Sequence, residues 1–98
     1  MKIEFTNRAV RDLREISAYC RMQFGDRVTA ALEARIRDVV SSIRDFPENA
    51  PQVEGRPGMR VVPLIRYPFK IFYRIVGDTL RIVHIRHAAR RPWTGATR

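Results

Sequence analysis

The sequence predicts an α+β protein in which a helical hairpin packs on a small antiparallel sheet, in the order β-α-α-β-β-β. Apolar residues recur every three or four positions between residues 6 and 46, and they alternate with polar residues after residue 58. The chain has 98 residues, of which 45% are hydrophobic and 30% charged. This length and composition are typical of one folded domain, which we expect over residues 1–98.

The first half of the chain predicts one short strand and two helices. Residues 2–5 alternate polar and apolar, and Thr6 is a suitable N-cap for a helix that Gly25 ends. A second helix follows over residues 26–46. The apolar stripes of the two helices consist of Ala9, Leu13, Ile16, Cys20 and Phe24, and of Val28, Leu32, Ile36, Val39, Ile43 and Phe46. Such stripes pack on a common core.

The second half predicts a loop and three strands. Residues 47–58 contain three prolines and two glycines, which indicates a loop, and strands are expected over residues 59–64, 69–76 and 79–86. Side chains alternate between the two faces of a strand, so Lys70 and Arg74 share one face with Phe72 between them. If the last strand is regular, Arg81 and Arg86 lie on opposite faces, and so do His84 and His87.

The charge is concentrated in the second half. The chain carries 19 basic and 10 acidic residues, a net charge of +9, and residues 51–98 hold ten of the basic and two of the acidic ones. A surface of this charge favours an anionic partner: nucleic acid, an acidic protein or anionic lipid. Lipid is the weakest candidate because the basic half contains no amphipathic helix.

Several classes of function find no support. The single cysteine, Cys20, lies on a helical stripe and is expected in the core, and no cluster predicts a metal or cofactor site. We therefore expect no cofactor. No apolar run is long enough to span a membrane and the N-terminus has no secretory signal, so a cytoplasmic location is expected.

The segment YPFKIFYRIVGDTLRIVHIRHAARRPW, residues 67–93, resembles the C-terminal hairpin of the RelE/ParE superfamily of type II toxin–antitoxin modules. Residues 5–19 are similar to the first helix of that superfamily. The resemblance implies an acidic antitoxin that folds as it binds the basic surface. The residues expected to bind it are Lys70, Phe72, Arg74 and Arg81. A solvated basic surface without a single partner is the simpler interpretation of the same charges.

The superfamily has two main activities. RelE-like toxins cut messenger RNA on the ribosome, which requires proton transfer and cations around one phosphate, and the candidates here are His87, Arg86 and Arg74. ParE-like toxins trap DNA gyrase in its cleaved-DNA complex and need no catalytic residue. The positions at which RelE-type relatives place a histidine or tyrosine fall on Ala88 and Ala89, so the resemblance favours the ParE-like branch.

In ParE-like toxins the C-terminal region is implicated in gyrase inhibition, so Arg90, Arg91 and Trp93 are expected to bind the target. Trp93 packed against the sheet edge is an equally supported alternative. His87 is then a structural residue that anchors the end of the last strand. A basic nucleic-acid-binding domain without toxicity is the third hypothesis, because Lys70 and Arg74 flank the aromatic Phe72.

Overall fold

The computed structural model describes residues 1–88. Its elements are β1 (Lys2–Phe5), α1 (Asn7–Asp45), β2 (Arg60–Pro63), β3 (Phe69–Val76) and β4 (Thr79–His87). The predicted α+β class is confirmed, because α1 covers one face of a four-stranded sheet with the order β1-β4-β3-β2. Over the described range, no helix has both the length and the apolar composition needed to cross a membrane.

Helix α1 bends sharply at Gly25, where φ is 86° and ψ is 177°. A residue with a side chain rarely adopts this φ, so glycine suits the bend. Ser17 Oγ donates a hydrogen bond to Glu33 Oε2 at 2.7 Å, although sixteen residues of straight helix would separate them by about 24 Å. The two arms of α1, residues 7–24 and 26–45, therefore lie side by side, and no loop separates them.

Thr6 fixes the start of α1 to the sheet. Its hydroxyl oxygen accepts the N–H of Ala9 at 3.0 Å, which satisfies one of the free donors of the first helical turn. The same hydroxyl donates to the carbonyl of Val83 at 2.7 Å, and the Thr6 N–H donates to the carbonyl of Ile82. The predicted helix cap thus also sets the position of α1 against β4.

The expectation of a purely antiparallel sheet is wrong. β1 pairs in parallel with β4, from Lys2 opposite Thr79 to Phe5 opposite Ile82, whereas β2–β3 and β3–β4 are antiparallel. β1, β2 and β4 therefore run in the same direction. The long connection over residues 46–59 carries the chain to the end of the sheet from which β1 also starts. The alternation of apolar and polar residues does not indicate the direction in which a strand runs.

The core lies between α1 and one face of the sheet. Its most buried large side chains are Leu32, Ile71, Tyr73, Leu80 and Ile82. The Tyr73 hydroxyl donates to the carbonyl of Pro47 at 2.6 Å, and burial raises the pKa of Tyr73, so this donor keeps its proton.

A β-bulge interrupts the pairing of β3 and β4. Phe72 lies opposite His84 while Tyr73 lies opposite Ile82, which leaves Val83 as an extra residue in β4. An extra residue reverses the alternation of side chains beyond it. Ile82 before the bulge and Ile85 after it consequently both face the core.

Candidate functional site

The face of the sheet turned away from α1 carries a concentrated positive charge. Three directly opposed pairs of β3 and β4 form it: Lys70 with Arg86, Phe72 with His84, and Arg74 with Arg81. These six residues are the cationic face. The prediction that Arg81 and Arg86 lie on opposite faces is wrong, because the bulge at Val83 adds a residue between them. The four predicted antitoxin-binding residues all belong to this face.

The centre of the cationic face is a stack of three planar groups. The rings of Phe72 and His84 lie 4.7 Å apart at an angle of 15°, and the Arg86 guanidinium carbon is 5.0 Å from the centre of the Phe72 ring. Phe72 is buried at 8% exposure. The aromatic ring therefore supports the cation and offers little of its own surface to a partner.

Two arginines of this face are held by neighbours. Arg74 Nη1 donates to the carbonyl of Pro57 at 2.8 Å, which fixes the side chain without cancelling its charge. Arg81 Nε pairs with Glu4 Oε1 at 2.9 Å, across the parallel pairing of β1 and β4. This half-exposed ion pair removes one charge from the edge of the face. Among residues 1–88, Glu4 is the acidic residue that forms an ion pair with this face.

His84 is uncharged at neutral pH. Burial lowers its pKa from 6.5 to about 4, nearby arginines act in the same direction, and the Asp12 carboxylate opposes them. The arginines are Arg8, Arg86 and Arg56. The Nδ1 of His84 lies 3.7 Å from Asp12 Oδ2, which is longer than a hydrogen bond, so the two groups do not form an ion pair at pH 7.

A second surface lies between α1 and the free edge of β4. It is a groove of about 1040 Å³, open to solvent. Its apolar lining includes Ile16, Cys20, Leu32, Phe69 and Ile85, and its charged lining includes Arg8, Asp12, Glu15 and Arg86. This surface is called the apolar groove below. Cys20 is buried in its floor, as the sequence predicts for a core cysteine.

Within residues 1–88, the strand edge that borders the apolar groove has no neighbouring strand beyond Ile82, because β1 ends at Phe5. Asp12, from the first arm of α1, takes the place of a strand partner. Its Oδ2 accepts the backbone N–H of Ile85 at 3.0 Å. A side chain thus satisfies part of this strand edge.

The bend of α1 extends the apolar groove with exposed apolar side chains. Tyr19, Phe24 and Val28 line the groove and are 60%, 63% and 40% exposed. The stripes predicted Phe24 and Val28 in the core. They lie outside it, on the two sides of the bend at Gly25. The sequence reasoning therefore missed the groove, although stripe residues on both sides of Gly25 were a usable signal.

The candidate ribonuclease residues are brought together only in part, because Arg86 and His87 both line the apolar groove while Arg74 does not. Arg74 and Arg86 lie on the cationic face, whereas His87 lies opposite Phe69, whose side chain packs against the core. The rings of His87 and Phe69 meet edge to face with their centres 5.3 Å apart. The predicted separation of His84 and His87 to opposite faces is observed. His84, not His87, is the histidine of the cationic face.

The residues predicted to bind the target follow β4 in the sequence. Arg90, Arg91 and Trp93 lie outside the described residues, so their assignment to target binding stays a prediction. Within the described range, no group of three or more histidine, cysteine, aspartate or glutamate side chains is arranged to hold a metal ion.

Comparisons with known proteins identify similar folds and a family. The chain resembles, at 24% identity and a TM-score of 0.79, a structure described as the chromosomal ParDE system from P. aeruginosa, with coverage of 89% of this chain and 95% of that one. The isolated E. coli RelE toxin matches at 16% identity and a TM-score of 0.63, over 92% and 86% of the two chains. A chain of the E. coli DinJ–YafQ complex matches at 12% identity and 0.61, over 90% and 93%.

These likenesses, all below 25% identity, show a shared fold. No curated protein sequence matches the chain. The family model described as the ParE toxin of the type II toxin–antitoxin system parDE matches residues 3–92, which include both arms of α1 and all the described strands except Lys2 at the start of β1. The chain therefore belongs to the ParE toxin family of type II toxin–antitoxin systems.

Proposed function

We propose that the chain inhibits DNA gyrase by stabilising the complex in which gyrase has cleaved DNA, and that a cognate acidic antitoxin neutralises it. Membership of the ParE family supports the toxin role. The similar structures described as toxin–antitoxin complexes support an antitoxin partner. The gyrase target follows from the ParE-like resemblance of residues 67–93.

The position of His87 relative to Arg74 is the observation that favours gyrase over messenger RNA as the target. Cleavage of RNA requires groups that transfer protons and cations that stabilise charge, all around one phosphate. His87 and Arg86 project to opposite faces of β4. His84 lies on the cationic face, but it is stacked on Phe72 and its pKa is about 4. Although His87 and Arg86 both line the apolar groove, Arg74 lies outside it. A ribonuclease mechanism that needs all three residues around one phosphate is therefore disfavoured, and inhibition by binding needs no such residues.

The apolar groove is the surface that best fits the antitoxin. A disordered segment that folds on binding must bury apolar area to offset its loss of conformational entropy. The groove offers that area, together with Tyr19, Phe24 and Val28 at its rim. The charged residues of the lining balance, with Arg8 and Arg86 against Asp12 and Glu15, so it is the net charge of +9 of the whole chain that favours an acidic segment. We infer that the antitoxin places its apolar side chains in this groove.

The prediction that Lys70, Phe72, Arg74 and Arg81 bind the antitoxin remains open, since acidic residues of the same segment could reach Arg86 and continue onto the cationic face. Phe72 is buried under Arg86, so its part in such binding would be indirect. A cytoplasmic location follows from a gyrase target and stays part of the proposal.

A DNA cleavage assay tests the proposed function. Purified chain is incubated with gyrase, supercoiled plasmid and ATP, and linear DNA is measured after the protein is digested. We expect linear DNA to accumulate with toxin concentration, and addition of antitoxin to suppress it. Unchanged linear DNA, together with an early arrest of protein synthesis when the chain is expressed in its host, would contradict the gyrase target.

A truncation tests the predicted target-binding residues. Deletion of residues 91–98 removes Arg91 and Trp93, and we expect it to abolish DNA cleavage by gyrase while antitoxin binding persists. The substitution Trp93→Ala is the matched control for loss of a single anchor. A truncated chain that is folded and still stabilises cleaved DNA would show that this segment is not the effector region.

A further inference from the structure

The cationic face keeps an arrangement that is unfavourable for the stability of the fold. Lys70 lies directly opposite Arg86, and Arg74 lies directly opposite Arg81, with one aromatic pair between them. Like charges directly opposed across two strands destabilise a sheet. Among the described residues, the ion pair of Glu4 compensates Arg81 and no other cation of this face. Local violations of this kind are expected at functional surfaces, where a partner supplies the missing charge.

The chemistry of this face fits a phosphate backbone better than a peptide. Its one large apolar side chain among the six residues, Phe72, is already buried, so a folding peptide would gain little apolar burial there. Lys70, Arg74 and Arg86 present three charges along about 13 Å of β3 and β4, at 3.3 Å per residue. Binding to phosphates depends on such charges and the release of counterions, and needs no apolar contact.

We propose that the cationic face binds the phosphate backbone of the DNA held by gyrase, an inference that rests on the proposed function. A toxin shifts gyrase towards the cleaved state only through higher affinity for that state. Contact with DNA at Lys70 and Arg86 adds affinity for the complex of gyrase with DNA, and contact with gyrase itself supplies the preference for the cleaved state. The antitoxin in the apolar groove shares Arg86 with this face, so the two partners compete at one residue.

The first test measures direct binding of the free chain to duplex DNA by fluorescence anisotropy. Three uncompensated cations predict that affinity falls about 40-fold between 50 and 200 mM salt. The double variant Lys70→Gln with Arg86→Gln keeps one of the three, so its affinity should fall only about 4-fold over the same range. The control, Arg14→Gln with Arg37→Gln, removes two exposed charges from α1 and should behave as the wild type.

The double variant removes a destabilising like-charge pair but also the contact of Arg86 with the Phe72 ring, so its unfolding temperature is measured beside the wild type and binding is compared below both transitions. Equal salt dependence for the wild type and the double variant would overturn the inference. So would a double variant that binds DNA normally but loses affinity for the antitoxin, since the face would then belong to that partner.

The gyrase cleavage assay separates this inference from the proposed function. We expect the double variant to need at least 10-fold more protein than the wild type to produce the same amount of linear DNA. If both proteins stabilise cleaved DNA equally, the proposed function holds and the inference fails. If the wild type binds DNA through this face but never stabilises cleavage, the gyrase function fails, and with it the assignment of the bound DNA to the gyrase complex.

Discussion

The apolar groove and the cationic face share strand β4, yet they are incomplete in different ways. The groove lacks apolar cover: Tyr19, Phe24 and Val28 remain exposed around it. The cationic face lacks negative charge as far as residues 1–88 are concerned, because Lys70 and Arg86 oppose each other and Glu4 pairs with Arg81 alone. The first surface therefore fits a partner that buries apolar area, and the second fits a polyanion.

The bulge at Val83 is the feature that creates this difference. It places Arg81 and Arg86 on one side of β4 while Ile82 and Ile85 both stay on the core side. Without the extra residue, a strand with this sequence would divide its arginines between the two faces. A single inserted residue thus turns a mixed strand into one with an apolar side and a cationic side.

A charge placed in the apolar groove gives the largest expected effect. The substitution Phe24→Glu puts a carboxylate at the rim, where the antitoxin is proposed to bury apolar side chains. We expect the affinity for the antitoxin to fall at least 100-fold, because an unpaired charge at a buried interface is costly. Isothermal titration with the antitoxin measures it, and DNA binding by the cationic face should not change.

Met22→Glu is the matched control for this substitution. Met22 lies two residues away on the same arm of α1 and is 81% exposed, but it does not line the apolar groove. Its antitoxin affinity should stay within about 3-fold of the wild type, as for most peripheral positions. Equal losses for Met22→Glu and Phe24→Glu would indicate that the antitoxin covers the bend of α1 in general and not the groove.

Most of the fold could be predicted from local patterns. Thr6 caps α1, Gly25 marks its bend, and the three later strands lie within one or two residues of their predicted bounds. These features depend on neighbouring residues, which the sequence displays directly. The parallel pairing of β1 with β4 was not predictable in this way, because strand direction depends on the path of a long connection across the whole molecule.

The candidate site was predicted in part. Lys70, Phe72 and Arg74 share a face as the alternation of β3 requires. The positions of Arg86 and of the apolar groove were missed, for two physical reasons. The alternation of β4 does not reveal the bulge, because Ile82 precedes Val83 and Ile85 follows it within two residues. An apolar stripe at helical spacing does not show which of its residues the sheet covers.

His84 connects the two surfaces, because it belongs to the cationic face and lies close to Asp12 of the apolar groove. Its protonation is expected to change the stability of the chain with pH. Its pKa is about 4 in the folded chain and 6.5 in the unfolded chain, so between these values the unfolded state binds more protons. The free energy of unfolding should therefore decrease as the pH falls from 6.5 to 4. After allowance for solvent screening, the contribution of His84 is about 1–3 kcal/mol.

The variant His84→Gln isolates this contribution, since the carboxylates titrate in both proteins and only His84 is removed. Urea unfolding at several pH values should give the variant a smaller loss of stability between pH 6.5 and 4 than the wild type. Parallel curves for the two proteins would show that His84 titrates normally and is not held neutral by burial against Phe72.

The smallest effect is expected for His87→Ala. Because His87 contacts Phe69 and lines the apolar groove, its removal should weaken the end of the strand and alter that groove slightly, while the cationic face stays in place. DNA cleavage by gyrase should stay within about 3-fold of the wild type, and His87→Gln serves as the conservative control. A group that transfers protons in catalysis contributes about 10²–10⁴-fold. A loss of toxicity of that size in folded His87→Ala, with protein synthesis as the affected process, would return the chain to the ribonuclease branch, since a contact with Phe69 has no comparable effect on rate.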